Sequence, residues 1–226
     1  MKFLLWLKLW TLLGIVTLLP AQQNSVREVL IIPQEEISIQ RWLKQTDWKE
    51  QKGKADLFQI KDKILFMRSE DTSSTIGVKF KKEIKPSEFP EIEFRFMAEK
   101  LPPGTNVTEK NRDDAAFRLF VLFDKGGVLS VTPPHTIGYV WDSTLEKGAT
   151  GRAATFGQVR YIVIGSGKEG LGEWQVCRRN LRDDYRLLFE TDKVPKIKAL
   201  GLKCDSNHSH SSSASAIQWI RFSSGQ

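Results

Sequence analysis

Asp113-Asp114-Ala115-Ala116-Phe117-Arg118-Leu119-Phe120-Val121-Leu122-Phe123 is the most apolar strand-like run of the chain, entered through two adjacent acids and carrying one arginine. Taking every second residue places Ala115, Phe117, Leu119, Val121 and Phe123 on one face. Asp114, Ala116, Arg118, Phe120 and Leu122 fall on the other, and neither set reads as solvent-washed. A strand covered on both sides lies in the middle of a sheet, so this run predicts a central strand. The same alternation separates Asp113 from Asp114 and leaves only Asp114 on the face of Arg118.

Outward from this run, short strand candidates alternate with turn signals. On the N-terminal side they are 57–60, 64–68, 75–80 and 92–97, spaced as in antiparallel sheets. In the last, Ile92, Phe94 and Phe96 alternate with Glu93, Arg95 and Met97, which turns Arg95 away from the buried set. Residues 101–112, with Pro102-Pro103-Gly104, form a loop that delivers the chain to Asp113. Lys49 to Lys54 reads as a charged turn around Gly53, and 26–43 as an early strand followed by a bend. On the C-terminal side, Asp124-Lys125-Gly126-Gly127 signals a turn. Ile137-Gly138-Tyr139-Val140-Trp141-Asp142 follows, with Gly138 open to the close approach of a backbone or ligand. Residues 143–157 read as a loop, 159–164 as a strand, and Glu173-Trp174-Gln175-Val176-Cys177 as another. One short helix is predicted near 181–190: Asn180 caps it, Asp183 stands three residues on, and Leu181, Tyr185, Leu188 and Phe189 form its apolar stripe. Strands at 197–203 and 216–222 flank a Ser- and His-rich loop. The fold class is therefore mainly β, an antiparallel β-sandwich.

The 226 residues accommodate an N-terminal signal and one domain. Residues 1–21 read as a signal peptide: Lys2, then a leucine-rich run, then Pro20-Ala21 before Gln22-Gln23-Asn24, with an uncleaved anchor as the alternative because Lys8 interrupts the run. Residues 22–47 form an N-terminal segment of the mature chain, and 48–222 a single β-sandwich domain. Localisation is expected to be periplasmic or secreted, with no stable membrane insertion once the signal is cleaved. The formal net charge of +7 falls to +5 without Lys2 and Lys8. The basic residues are scattered among acids, which argues against a nucleic-acid partner. Cys177 and Cys204 lack any metal-ligand spacing. They either pair, closing a loop of roughly 27 residues worth about 3 to 4 kcal/mol, or stand as separately buried thiols.

Several motifs occur together in order: Phe94-Arg95-Phe96, Leu101-Pro102, Asp113-Asp114-Ala115-Ala116 with Arg118, Gly138-Tyr139-Val140-Trp141, Gly165-Ser166, Gly172-Glu173-Trp174, Arg179-Asn180 with Asp184-Tyr185-Arg186, and Asp205-Ser206. Over about Trp48 to Phe222 this order resembles the bacterial family known as domain of unknown function 3047. The resemblance implies an exported protein with a β-sandwich akin to carbohydrate-binding jelly rolls, and it implies no activity. Where that family tends to read Thr-Asp-Ser-Asp-Asn, Cys204-Asp205-Ser206-Asn207-His208 stands here. Gln218-Trp219 replaces an aspartate often seen in the closing strand. Both losses count against a cation or ligand site at that turn.

Asp114 and Arg118 are candidate ligand-binding residues, able to accept sugar hydroxyls or to grip a carboxylate, against the simpler role of a strand-end ion pair. Tyr139 and Trp141 share a side of their strand and either stack on a sugar face or pack in the core. Arg95 and Glu173 are outer members of this candidate site. Asp113, Trp174 and Asn180 are assigned structural roles. No nucleophile–base frame is present, and His135, His208 and His210 stand in loops. Asp114, Asp142 and Glu173 remain candidates for paired glycosidase acids. His208 and His210 with Asp205 have weak metal-ligand spacing, and Asp205 and Asn207 form a candidate Ca²⁺ set; otherwise no cofactor or metal is implied. The leading expectation is an exported, non-catalytic module that binds a glycan or another envelope component. A polysaccharide lyase or hydrolase on the same scaffold, and a periplasmic protein-interaction domain, are the alternatives.

Overall fold

The computed structural model describes residues 25–32, 35–124, 133–154 and 158–224. The predicted signal peptide, and the Lys125-Gly126-Gly127 part of the predicted turn, lie outside them. Thirteen strands and two helices follow in chain order: β1 (Val26–Ile31), α1 (Ile39–Gln45), β2 (Trp48–Lys52), β3 (Phe58–Lys61), β4 (Ile64–Glu70), β5 (Ser73–Ile84), β6 (Glu91–Lys100), β7 (Ala115–Phe123), β8 (His135–Asp142), β9 (Thr150–Arg152), β10 (Val159–Ser166), β11 (Gln175–Asn180), α2 (Leu181–Phe189), β12 (Ile197–Asp205) and β13 (Ser212–Ser223).

These strands form two facing sheets. One has six strands in the order β11-β6-β13-β4-β3, with β1 also paired to β13; the other has seven, β2-β5-β12-β7-β8-β10-β9. The result is the expected mainly β sandwich, and β7 stands at the centre of the larger sheet between β12 and β8. Pairing is antiparallel except between β8 and β10, which run parallel.

Period-two alternation places the core. From β6, Phe94 and Phe96 enter the space between the sheets and meet Phe117 of β7 at ring-centroid distances of 5.8 and 4.4 Å. Tyr139 and Trp141 of β8 enter the same space, 5.9 Å from Phe94 and 6.1 Å from Phe96. Buried aromatic pairs of this kind contribute about 0.5–1.5 kcal/mol each beyond their area. Gly165 of β10 leaves room for Trp141, whose ring stands 2.3 Å from where a Cβ would be.

The N-terminal region departs from the expected bend and charged turn. Ile39, Trp42 and Leu43 recur at helical spacing and are buried on one face of α1, capped by Ser38. Lys49 of β2 donates to the carbonyls of Leu43 and Thr46, satisfying the helix end, and Trp42 stacks on Trp48. Residues 25–32 and 35–47 thus contribute to the common core through Leu30, Ile39, Trp42 and Leu43. The predicted helix near 181–190 is α2; Asn180 accepts from the backbone N–H groups of Arg182 and Asp183. The serine-rich loop is shorter than expected, because β12 continues to Asp205 and β13 begins at Ser212.

Candidate binding groove

The outer face of the seven-stranded sheet carries a groove of about 560 Å³ that crosses six strands, from β2 to β10. Three aligned rows of residues make its floor. Strand register sets Gly77, Gly201, Phe120, Gly138 and Tyr161 side by side on β5, β12, β7, β8 and β10. At Gly138 a Cβ would lie 2.6 Å from the Tyr161 ring and 3.3 Å from that of Phe120, and at Gly77 it would lie 2.9 Å from the Leu200 carbonyl. These glycines let two rings and a backbone close in, so that the Tyr161 ring packs over Gly138 and Phe120 stands half-buried beside it. Thr75, Lys203 and Arg118 form the row on one side. Lys79, Ala199, Leu122, Thr136 and Val159 form the row on the other.

Arg118 anchors one wall, with its side chain 1% exposed. Its guanidinium donates to Asp113 Oδ1 at 2.9 Å, to the Asp113 carbonyl at 3.3 Å and to the Tyr161 hydroxyl at 3.1 Å. It lies 5.3 Å from the Tyr161 ring centroid and 5.9 Å from that of Phe120. Asp205 stands 3.8 Å away and is also held by Lys203. Among the described residues, Arg118 Nε and Asp205 Oδ1 are buried without a hydrogen-bond partner. Burial alone would weaken the proton hold of Arg118, but Asp205, Tyr161 and Asp113 outweigh it and keep the guanidinium charged. Burial pushes the Asp113 carboxyl above the ordinary carboxylate range, against the pull of Arg118 and Lys203. Burial likewise pushes the Tyr161 hydroxyl well above its usual value.

The two adjacent acids have exchanged roles relative to the sequence reading. Strand geometry begins only at Ala115, so alternation does not extend back to the pair, and Asp113 is the one that reaches Arg118. Asp114, fully buried, accepts from the backbone N–H groups of His208 and Ser209 and from the Ser209 hydroxyl, and so fixes the 206–211 loop. Tyr139 and Trp141 do not join Arg118 as an exposed platform: they are 0% and 1% exposed and face the other side of the sheet. The Tyr139 hydroxyl donates to buried Asp184, which Arg179 also grips, and Trp141 Nε1 donates to the Gly167 carbonyl.

Arg95 and Trp174 belong to the opposite sheet's outer face, where the Arg95 guanidinium lies 5.2 Å from the Trp174 ring and donates to Gln218. Glu173 is exposed in the adjoining turn. These three therefore do not converge with Arg118. On that face Glu93 is clamped between Arg178 and Arg221. Burial would raise its carboxyl, but the two guanidinium groups outweigh this and hold it below the ordinary range.

Asp142 is buried and spent on the backbone N–H groups of Val107, Thr144 and Leu145, so it, Asp114 and Glu173 do not form a paired-acid site. His208 turns toward Asp114, whereas His210 pairs with Asp71, which separates the two histidines. Asp205, of the Ca²⁺ set considered with Asn207, is fully buried and pairs through Oδ2 with Lys203 and Arg118. Among the described residues no group of three or more His, Cys, Asp or Glu is placed to hold a metal ion. Cys177 and Cys204 are free thiols on different sheets, so the pairing alternative does not hold; burial pushes them up to about 12 and about 11.

Phe120, Tyr161 and Lys203 were not singled out from the sequence. Phe120 was already visible on the face of Arg118, and the signal for the groove was the glycine at 138 beside it. Recognising the row needed the register that brings Gly77, Gly201 and Tyr161 into line.

Among the described residues no helix is long and apolar enough to cross a membrane. Comparison with solved structures finds similarity to a family 29 carbohydrate-binding module from Piromyces equi, at 10% identity over 90% of this chain and 92% of that one, with a TM-score of 0.42. A family 11 carbohydrate-binding module from Clostridium thermocellum, in complex with a β-1,3-1,4-mixed-linked tetrasaccharide, is similar at 10% identity over 85% and 93% with a TM-score of 0.35. An agarase is similar at 8% identity over 80% of this chain and 23% of that one, with a TM-score of 0.36. Comparison with curated proteins finds no match. The family model described as "Protein of unknown function (DUF3047)" matches residues 40–221, nearly the whole sandwich, and the chain belongs to that family.

Proposed function

We propose that this protein is an exported, non-catalytic binding module for a glycan or a similar envelope component, with the groove over β5, β12, β7, β8 and β10 as its binding face. The observation that carries this reading is the glycine row flanking Phe120. A half-buried ring on a floor that glycines keep low suits a flat, partly apolar ligand lying across the strands, and sugar rings present such faces. Arg118 and its partners add to the case. Burying two acids and two cations beside a groove, with polar atoms left unpaired, gives less stability than an apolar filling would, so the cluster is read as serving the site. The Tyr161 hydroxyl is turned into that cluster and holds its proton tightly, which suits positioning better than proton abstraction.

Glycan-array binding by the purified domain tests the reading. Phe120→Ala is expected to weaken binding by about 1.5–3 kcal/mol, roughly ten- to a hundredfold, whereas Trp174→Ala on the opposite face leaves it unchanged. Wild-type binding that survives Phe120→Ala intact would sink the groove as the site. Export rests on the residues 1–21, and sequencing of the mature N-terminus from a cell-envelope extract checks it. A chain beginning at Gln22 supports export with cleavage, and one retaining its first residues in the cytosolic fraction counts against it.

A further inference from the structure

The ligand class follows from charge, on the premise that the groove is the binding face. Asp113, Asp205, Arg118 and Lys203 balance one another inside the wall cluster. Three further lysines line the groove: Lys52 on β2, Lys79 on β5, and Lys198 in the bulge of β12. None of the three forms an ion pair among the described residues, although neighbouring lysines do. Lys81 meets Asp47, and Lys196 meets Glu83. Lys79 and Lys198 stand toward one side of the glycine row, and Lys52, in register with Thr75, toward the other. The half of the groove over β7, β8 and β10 is lined by Phe120, Leu122, Thr136, Val159 and Tyr161, with the mutually paired Arg118 and Asp113 along its edge. The floor is thus largely apolar and charge-balanced at one end, and carries the unpaired lysines at the other. From β2 to β10 it spans five inter-strand gaps, roughly 24 Å at about 4.8 Å each.

We propose that the groove takes a linear acidic polysaccharide, a uronate-containing chain laid across the strands. Its ring faces lie on Phe120 and along the low glycine row, and its carboxylates meet Lys79, Lys198 and Lys52. Charge complementarity selects an anion, and the shape of the floor selects a sugar chain among anions. An acidic peptide bound as an added strand needs a sheet edge, and the groove is a sheet face. A nucleic-acid strand is held by successive aromatic platforms, whereas here Phe120 is half-buried and the neighbouring Tyr161 ring is buried with its hydroxyl turned to Arg118.

The test is isothermal titration of the full-length protein with oligomers of polygalacturonate, alginate and hyaluronan, each beside its carboxyl-reduced counterpart, with polyglutamate and a single-stranded oligonucleotide as charge controls. The acidic sugars are expected to bind and their reduced forms to bind at least tenfold more weakly. Affinity should fall as ionic strength rises from about 0.05 to about 0.5 M. The double variant Lys79→Ala/Lys198→Ala is expected to lose about tenfold or more while keeping the wild-type circular dichroism and Tm, since Lys79 is exposed and Lys198 half-exposed. Reduced polymers that bind as well as the acidic ones, with binding still lost in Phe120→Ala, would overturn the acidic assignment and leave the groove reading standing. Equal binding of polyglutamate or the oligonucleotide would overturn the saccharide assignment. No binding by any acidic or reduced polymer would overturn both the inference and the reading beneath it.

Discussion

At the scale of single residues, Arg118 bears the largest consequence. Replacing it with leucine leaves Asp113 buried without its cation, and equilibrium denaturation is expected to show a loss of about 3–5 kcal/mol. Adding Asp113→Asn should recover part of that loss, because the uncompensated charge goes with it. Gly138→Ala is expected to cost about 1–3 kcal/mol by forcing the Tyr161 ring aside. The sequence reading found Arg118 and chose the wrong acid for it. Alternation is a property of strand backbone, and Asp113 and Asp114 precede the strand, at the end of a 3₁₀ turn. Tyr139 and Trp141, expected as a stacking platform, face the core instead. Where both faces of a strand are apolar, periodicity separates the faces without telling which one meets the second sheet.

Among the elements, the strongly alternating strands were legible, since β4, β6, β7, β8, β10 and β12 each place a dense apolar set on the core face. Two were not. β2 is an edge strand whose Lys49-Glu50-Gln51-Lys52 lies exposed, so its composition matches a turn. α1 has only seven residues, too few for its stripe to stand out. The α2 cap predicts its own test: Asn180→Ala should cost about 0.5–2 kcal/mol in thermal or chemical denaturation. Across the outer face of the six-stranded sheet, Glu93 ties β6 to β11 and β13. Its carboxyl is held below the ordinary range, so its contribution is present above about pH 4.3, the unfolded value, and is lost as pH falls through the folded one. Glu93→Gln should therefore be less stable than wild type at pH 7, with the gap closing in urea titrations at progressively lower pH.

For the molecule as a whole, no cross-link joins the sheets, and both thiols sit where burial keeps them protonated. The native protein is expected to react with a thiol reagent such as Ellman's only after unfolding, and to show the same Tm with and without reductant. The closing strand sets the order of assembly. β13 is made after every other strand, yet it alone joins β6 to β4 and carries β1 along its second half. A nascent chain short of Ser212 therefore holds half a sandwich whose inner face, with Phe94 and Phe96, has no completed sheet to support it. The sandwich therefore closes only once residues 212–223 have been made, and until then the chain carries two unjoined sheet fragments that are open to other pairings.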